Sequence, residues 1–303
     1  MNLLITGAWK GAKAHIEEIE GLGHNVKFLQ QEQDELPCQY EWVEGVICNG
    51  LFLYHPIHYF FSLKYIQLTS AGFDRVDMGY VQEKGITIHN ARGVYSIPMA
   101  EFVIARILEQ YKRLNDFNHQ QEKRRWNKLR DLQELYGKRV LIVGCGSVGT
   151  ECAKRFKAFG CDVAGVDIAP RKDENYIYMV DLEKLNDELK TSDVVVLTLP
   201  LTEETRGLID EKRLNLLNKD TILVNIARGA VIEKNALEKW NGKAILDVFE
   251  KEPLGEEDLL WKKESLVLSP HNSFIGTGNN DRLKSLIFHS LIEYRSQCKT
   301  GDF

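Results

Sequence analysis

No stretch of this 303-residue chain approaches the roughly 20 consecutive apolar residues that a membrane helix needs. The opening M-N-L-L-I-T-G is too short an apolar run for a secretory signal, and no cleavage-like region follows it. Charge of one sign is lacking too. Lys and Arg number 39 against 44 Asp and Glu, a net charge of −5, so there is no general basic excess for nucleic acid and no reason to invoke a membrane surface. One basic cluster, Lys123-Arg124-Arg125 with Lys128 and Arg130, lies among Gln and Glu and reads as a solvated helix face or a subunit contact. The cysteines (Cys38, Cys48, Cys145, Cys152, Cys161, Cys298) form no C-x-x-C and have no histidine at ligand spacing, which gives no metal site and suggests a reducing compartment. Internal repeats and low-complexity tracts are absent. The expectation is a cytoplasmic chain with no nucleic-acid, membrane or metal partner.

What is present is a globular composition, 44% hydrophobic and 27% charged, long enough for two domains. It is organised around V-L-I-V-G-C-G-S-V-G, Val140 to Gly149. Val140 to Val143 reads as a buried strand, and Thr150 to Phe159 continues as a helix. Between them Gly144, Gly146 and Gly149 form G-x-G-x-x-G. In such a loop the first glycine permits the turn, the second lets backbone approach a pyrophosphate, and the third lets helix pack on strand. The free N–H groups of the helix start favour the phosphates. A second run, Val163 to Val166, ends in Asp167, 18 residues after Gly149, where a carboxylate can accept from an adenosine ribose. A dinucleotide site follows. A methyltransferase, with a similar loop and acidic residue, is the rival.

Before this unit, Asn2–Ile5, Val26–Leu29, Val43–Cys48, Tyr65–Leu68 and Ile86–Ile88 are strand candidates separated by helical or turn segments, with Ala12–Gly21 an amphipathic helix. That alternation implies a parallel sheet with covering helices. Thr6-Gly7 with Gly11, and Tyr80 with Lys84, imitate short-chain dehydrogenase motifs. Lys13 stands at the third glycine position, however, and Tyr80 comes too early. Ile97–Leu114 reads as a connector helix with Pro98 near its start. A polar stretch carrying Trp126 runs from it to Gln133, as a subunit arm or a surface excursion. In the second unit Asp193–Leu197, Thr221–Asn225, Ala244–Leu246 and Leu266–Leu268 bring the apolar runs to six, which suits a doubly wound sheet. Asp281–Arg295 is helical and returns to the first domain. The fold class is therefore α/β, with two Rossmann-like or flavodoxin-like domains of doubly wound parallel sheet and a cleft between them. The expected boundaries are 1–91 plus 274–303 for substrate and 92–273 for the dinucleotide.

Polar residues follow three of these strands: Arg228 in N-I-A-R-G, Asp247 and Glu252 in D-V-F-E-K-E-P, and His271 in S-P-H. In an open α/β sheet such strand ends share one crevice. Arginine clamps a carboxylate and polarises a neighbouring carbonyl. Histidine moves the proton of an alcohol near neutral pH, and a carboxylate fixes the ring. Each alone is commonplace as a surface pair or a turn residue. Together, behind a nucleotide loop, they suit hydride transfer beside a carboxylate.

At these motifs the chain resembles the D-isomer-specific 2-hydroxyacid dehydrogenases. V-G-C-G-S-V-G, P-L-T-E-E-T (Pro200–Thr205), N-I-A-R-G (Asn225–Gly229), D-V-F-E-K-E-P-L (Asp247–Leu254), S-P-H (Ser269–His271), S-A-G-F-D-R-V-D (Ser70–Asp77) and P-M-A-E-F (Pro98–Phe102) all fit. The resemblance spans residues 65 to 275. It implies an NAD-dependent oxidoreductase interconverting a 2-oxo acid and a (D)-2-hydroxy acid. Arg228 would bind substrate and His271 would be the acid/base, paired with Glu252. The N–H groups of Ser70, Ala71 and Gly72 would grip the carboxylate. Cofactor contacts are implied at Gly144, Gly146, Ser147, Val148, Gly149, Asp167, Pro200, Thr205, Ala227 and Asp247, the last holding the nicotinamide carboxamide. A homodimer built through residues 95 to 135 is also implied. Departures are Thr198 where many members have histidine, a short segment from Arg228 to Glu252 with a trimmed helix (Glu233–Trp240), and N-S-F-I-G-T-G-N-N after His271. Asn272 and Phe274 would reshape the pocket wall, and Phe52 and Tyr54 in the loop after the third strand point to a neutral or apolar substrate tail. Asp167 favours NAD, with Arg171 as a partial offset. The alternatives are a silent NAD(H) sensor of the same fold and a dehydrogenase for another small anion. Formate enzymes carry glutamine where Glu252 stands.

Overall fold

The computed structural model describes residues 1–300, without the side chains of residues 297–300; the Cys298 thiol and the end of the expected 274–303 segment lie outside the described residues. The chain forms two compact units, Met1–Tyr95 together with the segment from Gly276, and Ser96–Ile275. Among the described residues no helix is long and apolar enough to cross a membrane.

In the first unit, β1 (Asn2–Thr6), β2 (Asn25–Leu29), β3 (Gly45–Cys48), β4 (Tyr65–Leu68) and β5 (Thr87–His89) lie in the order β2-β1-β3-β4-β5, with every pairing parallel. Alternate residues enter opposite layers: Leu3, Ile5, Ile47 and Tyr65 on one face, Leu4, Val46, Ile66 and Leu68 on the other. Both faces are covered, which is why these strands read as continuous apolar runs. The expected helix Ala12–Gly21 is split. Ala12–His15 is a tight 3-10 turn, with Ala14 N–H reaching Gly11 carbonyl at 3.0 Å, and only α1 (Ile16–Gly21) is α-helical. Helix α2 (Met78–Glu83) is capped by the Asp77 side chain, which accepts from Tyr80 N–H at 3.0 Å.

Before β2, His24 is buried with neither ring nitrogen hydrogen-bonded among the described residues. Burial, reinforced by the positive charges of the Met1 α-amino group and Arg295, pulls it down to about 4. The unfolded chain takes up this proton near pH 6.5 and the folded chain only near 4. Stability therefore falls as pH drops through that window, by about 2–3 kcal/mol from this residue. Urea unfolding followed by circular dichroism at pH 7.5 and pH 4 should show a smaller loss for His24→Leu than for the parent; equal losses would remove His24 from the account.

The second unit begins with α3 (Ser96–Lys112), whose buried residues include Val103, Ile104, Ile107 and Tyr111. The run does not continue through Leu114 as expected. Arg113 is left-handed (φ 51°), with its guanidinium on Asp116 and Asp131 at 2.6 Å each, and a separate α4 (Leu114–Glu122) starts there. The sheet comprises β6 (Arg139–Val143), β7 (Asp162–Val166), β8 (Tyr178–Val180), β9 (Val194–Leu197), β10 (Ile222–Asn225), β11 (Lys243–Leu246) and β12 (Leu266–Leu268). Their order is β12-β11-β10-β9-β6-β7-β8, all parallel, so the order reverses beside β6. This is seven strands, one more than expected; the added β8 is a half-exposed edge strand. Helices α5 (Ser147–Ala158), α6 (Leu185–Leu189), α7 (Glu211–Leu214) and α8 (Lys234–Lys239) complete the unit, and α8 is as short as the spacing suggested. Helix α9 (Asn279–Thr300) belongs to the first unit. Leu283, Ile287 and Leu291 join its core, and Ser290 hydroxyl meets Tyr65 hydroxyl and Gln67 Oε1 at 2.7 Å each.

Candidate active site

The glycine loop lies at the carboxyl end of the central strand β6. Gly144 has φ 95°, and a Cβ there would lie 2.7 Å from Leu199 N; at Gly149 a Cβ would lie 2.2 Å from Gly144 O. No side chain is tolerated at either point, which leaves bare backbone at the turn. Gly146 caps α5 without a side chain, and the N–H groups of Gly146, Ser147 and Val148 are given to no acceptor among the described residues. Three unused donors at a helix start, in a cradle kept open by glycine, fit a pyrophosphate. Thr198 ties this turn down by donating to Gly144 O at 2.6 Å. Thr205 hydroxyl donates to Pro200 O at 2.8 Å, holding the loop after β9.

Asp167 follows β7. Its Oδ2 accepts from Cys145 N–H at 2.6 Å and its Oδ1 from Ala169 N–H at 3.0 Å. Arg171 reaches the other side of the same residue, donating to Cys145 O at 2.6 Å. A carboxylate and a guanidinium thus flank the loop where an adenosine ribose would lie. Ile168, which sequence reasoning missed, is 88% exposed next to Asp167 in the chain.

The ends of β10, β11 and β12 are in register, Asn225 beside Leu246 and Leu246 beside Leu268, so the loops that follow leave the sheet side by side. Arg228 is half-buried and donates to Ala227 O at 2.8 Å. A Cβ on Gly229 would fall 1.9 Å from Phe249 C and 2.2 Å from Glu250 N. The arginine loop therefore presses directly on the backbone leading to Glu252. Glu252 turns back on itself, Oε1 accepting from Phe249 N–H at 2.9 Å, and presents Oε2 to His271 Nδ1 at 2.8 Å. The His271 ring also meets Phe274 edge-on, 5.8 Å between centroids. With Nδ1 held, Nε2 is the nitrogen left to act on a ligand.

Asp247, expected at the nicotinamide, has no exposed surface, and its carboxylate takes three donors from the residues around His271. Ala227 is likewise buried, its N–H bonded to Asn225 Oδ1 at 3.0 Å. In the first unit the carbonyl groups of Ser70 and Ala71 are used by Ala91 N–H (2.8 Å) and Asn90 Nδ2 (2.6 Å), while the N–H groups of Ser70, Ala71 and Gly72 are given to nothing among the described residues. Phe52 packs edge-on against Phe60 in the first unit's core, 5.8 Å between centroids, whereas Tyr54 is exposed.

The model of the D-isomer specific 2-hydroxyacid dehydrogenase NAD binding domain matches residues 104–273, more than half the chain. The chain belongs to this family. Glyoxylate reductase of Thermofilum pendens is 34% identical over 242 residues, covering 76% of this chain and 71% of that one. Among solved structures, a glyoxylate reductase from Paecilomyes thermophila superposes with TM-score 0.83 at 25% identity, over 99% of this chain and 96% of that one. A D-isomer specific 2-hydroxyacid dehydrogenase from Xanthobacter autotrophicus Py2, in complex with NADPH and MES, gives 0.78 at 25% identity, over 100% and 96%. This member of the dehydrogenase family is thus an oxidoreductase that moves a hydride between NAD(H) and a 2-oxo or 2-hydroxy acid.

The Asp167–Arg171 pair sets a cofactor prediction for this dehydrogenase. A carboxylate accepts from a 2′-hydroxyl and repels a 2′-phosphate. Asp167→Ala should move the NADH-to-NADPH ratio of kcat/KM toward NADPH by roughly 100-fold, about 2.7 kcal/mol. Adding Arg171→Ala should cancel much of the gain in NADPH use, and an unchanged ratio in the single variant would place selection elsewhere.

Proposed function

We propose that this dehydrogenase reduces glyoxylate and other short 2-oxo acids, with Arg228, Glu252 and His271 as its reacting set. The observation that carries the assignment is the 2.8 Å contact between His271 Nδ1 and Glu252 Oε2, on a loop pressed against that of Arg228. Bound NADH supplies the hydride. The chain's own residues do the rest. Arg228 pairs with the substrate carboxylate and draws electron density from the adjacent carbonyl oxygen. Within the first unit, the N–H groups of Ser70, Ala71 and Gly72, given to nothing among the described residues, are the candidates for carboxylate oxygen. As the carbonyl oxygen gains charge, His271 donates a proton to it from Nε2, and Glu252, on Nδ1 at 2.8 Å, holds the ring in place. In the reverse direction the same nitrogen takes the hydroxyl proton. Glu252 beside His271 supports hydroxy-acid chemistry over formate, whose oxidation to CO2 releases a hydride with no hydroxyl proton to move.

We also assign a homodimer. Trp126 is 95% exposed in the segment that follows α4, within residues 95 to 135, and is a large apolar side chain that a second copy could cover. Five described cysteines, all free, support a cytoplasmic setting.

The test is NADH oxidation by purified protein with glyoxylate, hydroxypyruvate, pyruvate, and branched and aromatic 2-oxo acids. Turnover led by the short acids is expected. Tight NADH binding with no turnover of any acid would favour a sensor, and preference for aromatic acids would overturn the substrate assignment.

A further inference from the structure

We propose that Asp247 is a positioning residue. Its buried carboxylate fixes the left-handed turn that carries His271, and its backbone, through Asn225, registers that turn against Arg228. This rests on His271 being the acid/base proposed above. Four hydrogen bonds from one short segment converge on Asp247. Ser269 hydroxyl and Asn272 N–H reach Oδ1 at 2.6 and 2.9 Å, Ser273 N–H reaches Oδ2 at 2.8 Å, and His271 N–H reaches its carbonyl at 2.8 Å. The donors stand on both sides of His271, which adopts φ 51°, a conformation unfavourable to a residue with a side chain. A turn held in that region persists only when its surroundings over-determine it. Asp247 supplies that constraint while having no exposed surface of its own.

The residue type matters. Every group facing the side chain is a donor, and a carboxylate accepts at both oxygens. An asparagine would turn an NH2 toward one of those donors. On the other side, Asp247 N–H donates to Asn225 O at 3.0 Å, and the Asn225 amide donates to Arg228 O at 3.0 Å while accepting from Ala227 N–H. Asn225 is 1% exposed and Asp247 0%, so two buried polar residues on adjacent strand ends brace the two functional loops.

The experiment compares Asp247→Asn in the parent and in His271→Ala. In the parent we expect kcat to fall about 30- to 100-fold, with the NADH dissociation constant changed less than about 3-fold. In the His271→Ala background the same substitution should cost less than about 3-fold, because a residue acting through His271 has nothing left to position. Equal losses in both backgrounds would overturn the proposal. So would unchanged kcat, or a matching loss of NADH affinity, which would return Asp247 to the cofactor. If Asp247→Asn does not fold, Ser269→Ala removes a single donor and should lower kcat about 3- to 10-fold with the same dependence on His271; no effect, or an additive one, would also sink the idea. Full turnover by His271→Ala alone would instead refute the acid/base assignment, and this proposal with it.

Discussion

Replacement of His271 by alanine is expected to lower kcat/KM for glyoxylate by about 10³-fold, while NADH still quenches protein fluorescence with an affinity close to the parent's. The reasoning is local. The ring is held by Glu252 Oε2 at 2.8 Å and by the edge of Phe274, so its position is defined before substrate arrives. A proton donor fixed in place needs no reorganisation as charge develops on the carbonyl oxygen. Alanine leaves no donor there, and water in the gap cannot reproduce the geometry. Glu252→Gln keeps a hydrogen-bonding group opposite Nδ1 but replaces one carboxylate oxygen by an NH2, so the ring is held less well and a smaller loss, about 10- to 100-fold, is expected. Steady-state kinetics with NADH titration on each variant decides this. Loss of NADH binding in His271→Ala, in proportion to activity, would mean a damaged fold rather than a missing acid.

Gly229→Ala should cost about 10²-fold in kcat/KM, although the added group is one methyl and touches no substrate. A Cβ at this position would lie 1.9 Å from Phe249 C and 2.3 Å from Phe249 O, and these are backbone atoms with no rotamer to yield. One loop must move by at least about 1.5 Å to restore van der Waals separation. A misplacement of about 1 Å between reacting groups is already worth about 10²-fold. Because the two loops carry Arg228 and Glu252, the loss should appear in KM and kcat together, with the glycine loop and NADH affinity untouched. Parent-like kinetics in this variant would show that the two loops need not stay pressed together.

Much of this was legible in the sequence. All five strand candidates of the first unit, and all six of the second, are strands within a residue or two. Buried parallel strands such as Val194–Leu197 carry an apolar run that little else produces. Strand β8 was not legible: Tyr178–Val180 is three residues long and half-exposed at the sheet edge, so no burial pattern marks it. The break at Arg113 was equally hidden, since no glycine or proline announces it and its left-handed turn is held by carboxylates nearby in the fold. In the site, the order Arg228, Glu252, His271 could be read from the motifs, and the Glu252–His271 contact was expected. The environment of Asp247 could not be read. D-V-F-E-K-E-P does not show that Ser269, Asn272 and Ser273 all donate to its carboxylate, which only the packing of the strand ends brings about. Asn225 and Gly229 carried faint signals, a polar residue closing an apolar strand and a glycine beside the arginine.

The return of helix α9 has a consequence for the order in which the chain can mature. Strands β1 to β5 are synthesised first, yet Leu3, Ile5 and Tyr65 share their core with Leu283, Ile287 and Leu291, and Tyr65 waits for Ser290, 225 residues later. The continuous second unit has all its own contacts available as soon as Ile275 leaves the ribosome. The unit translated first is therefore the last to close. Until it does, the apolar layer that α9 covers stays open on the nascent chain.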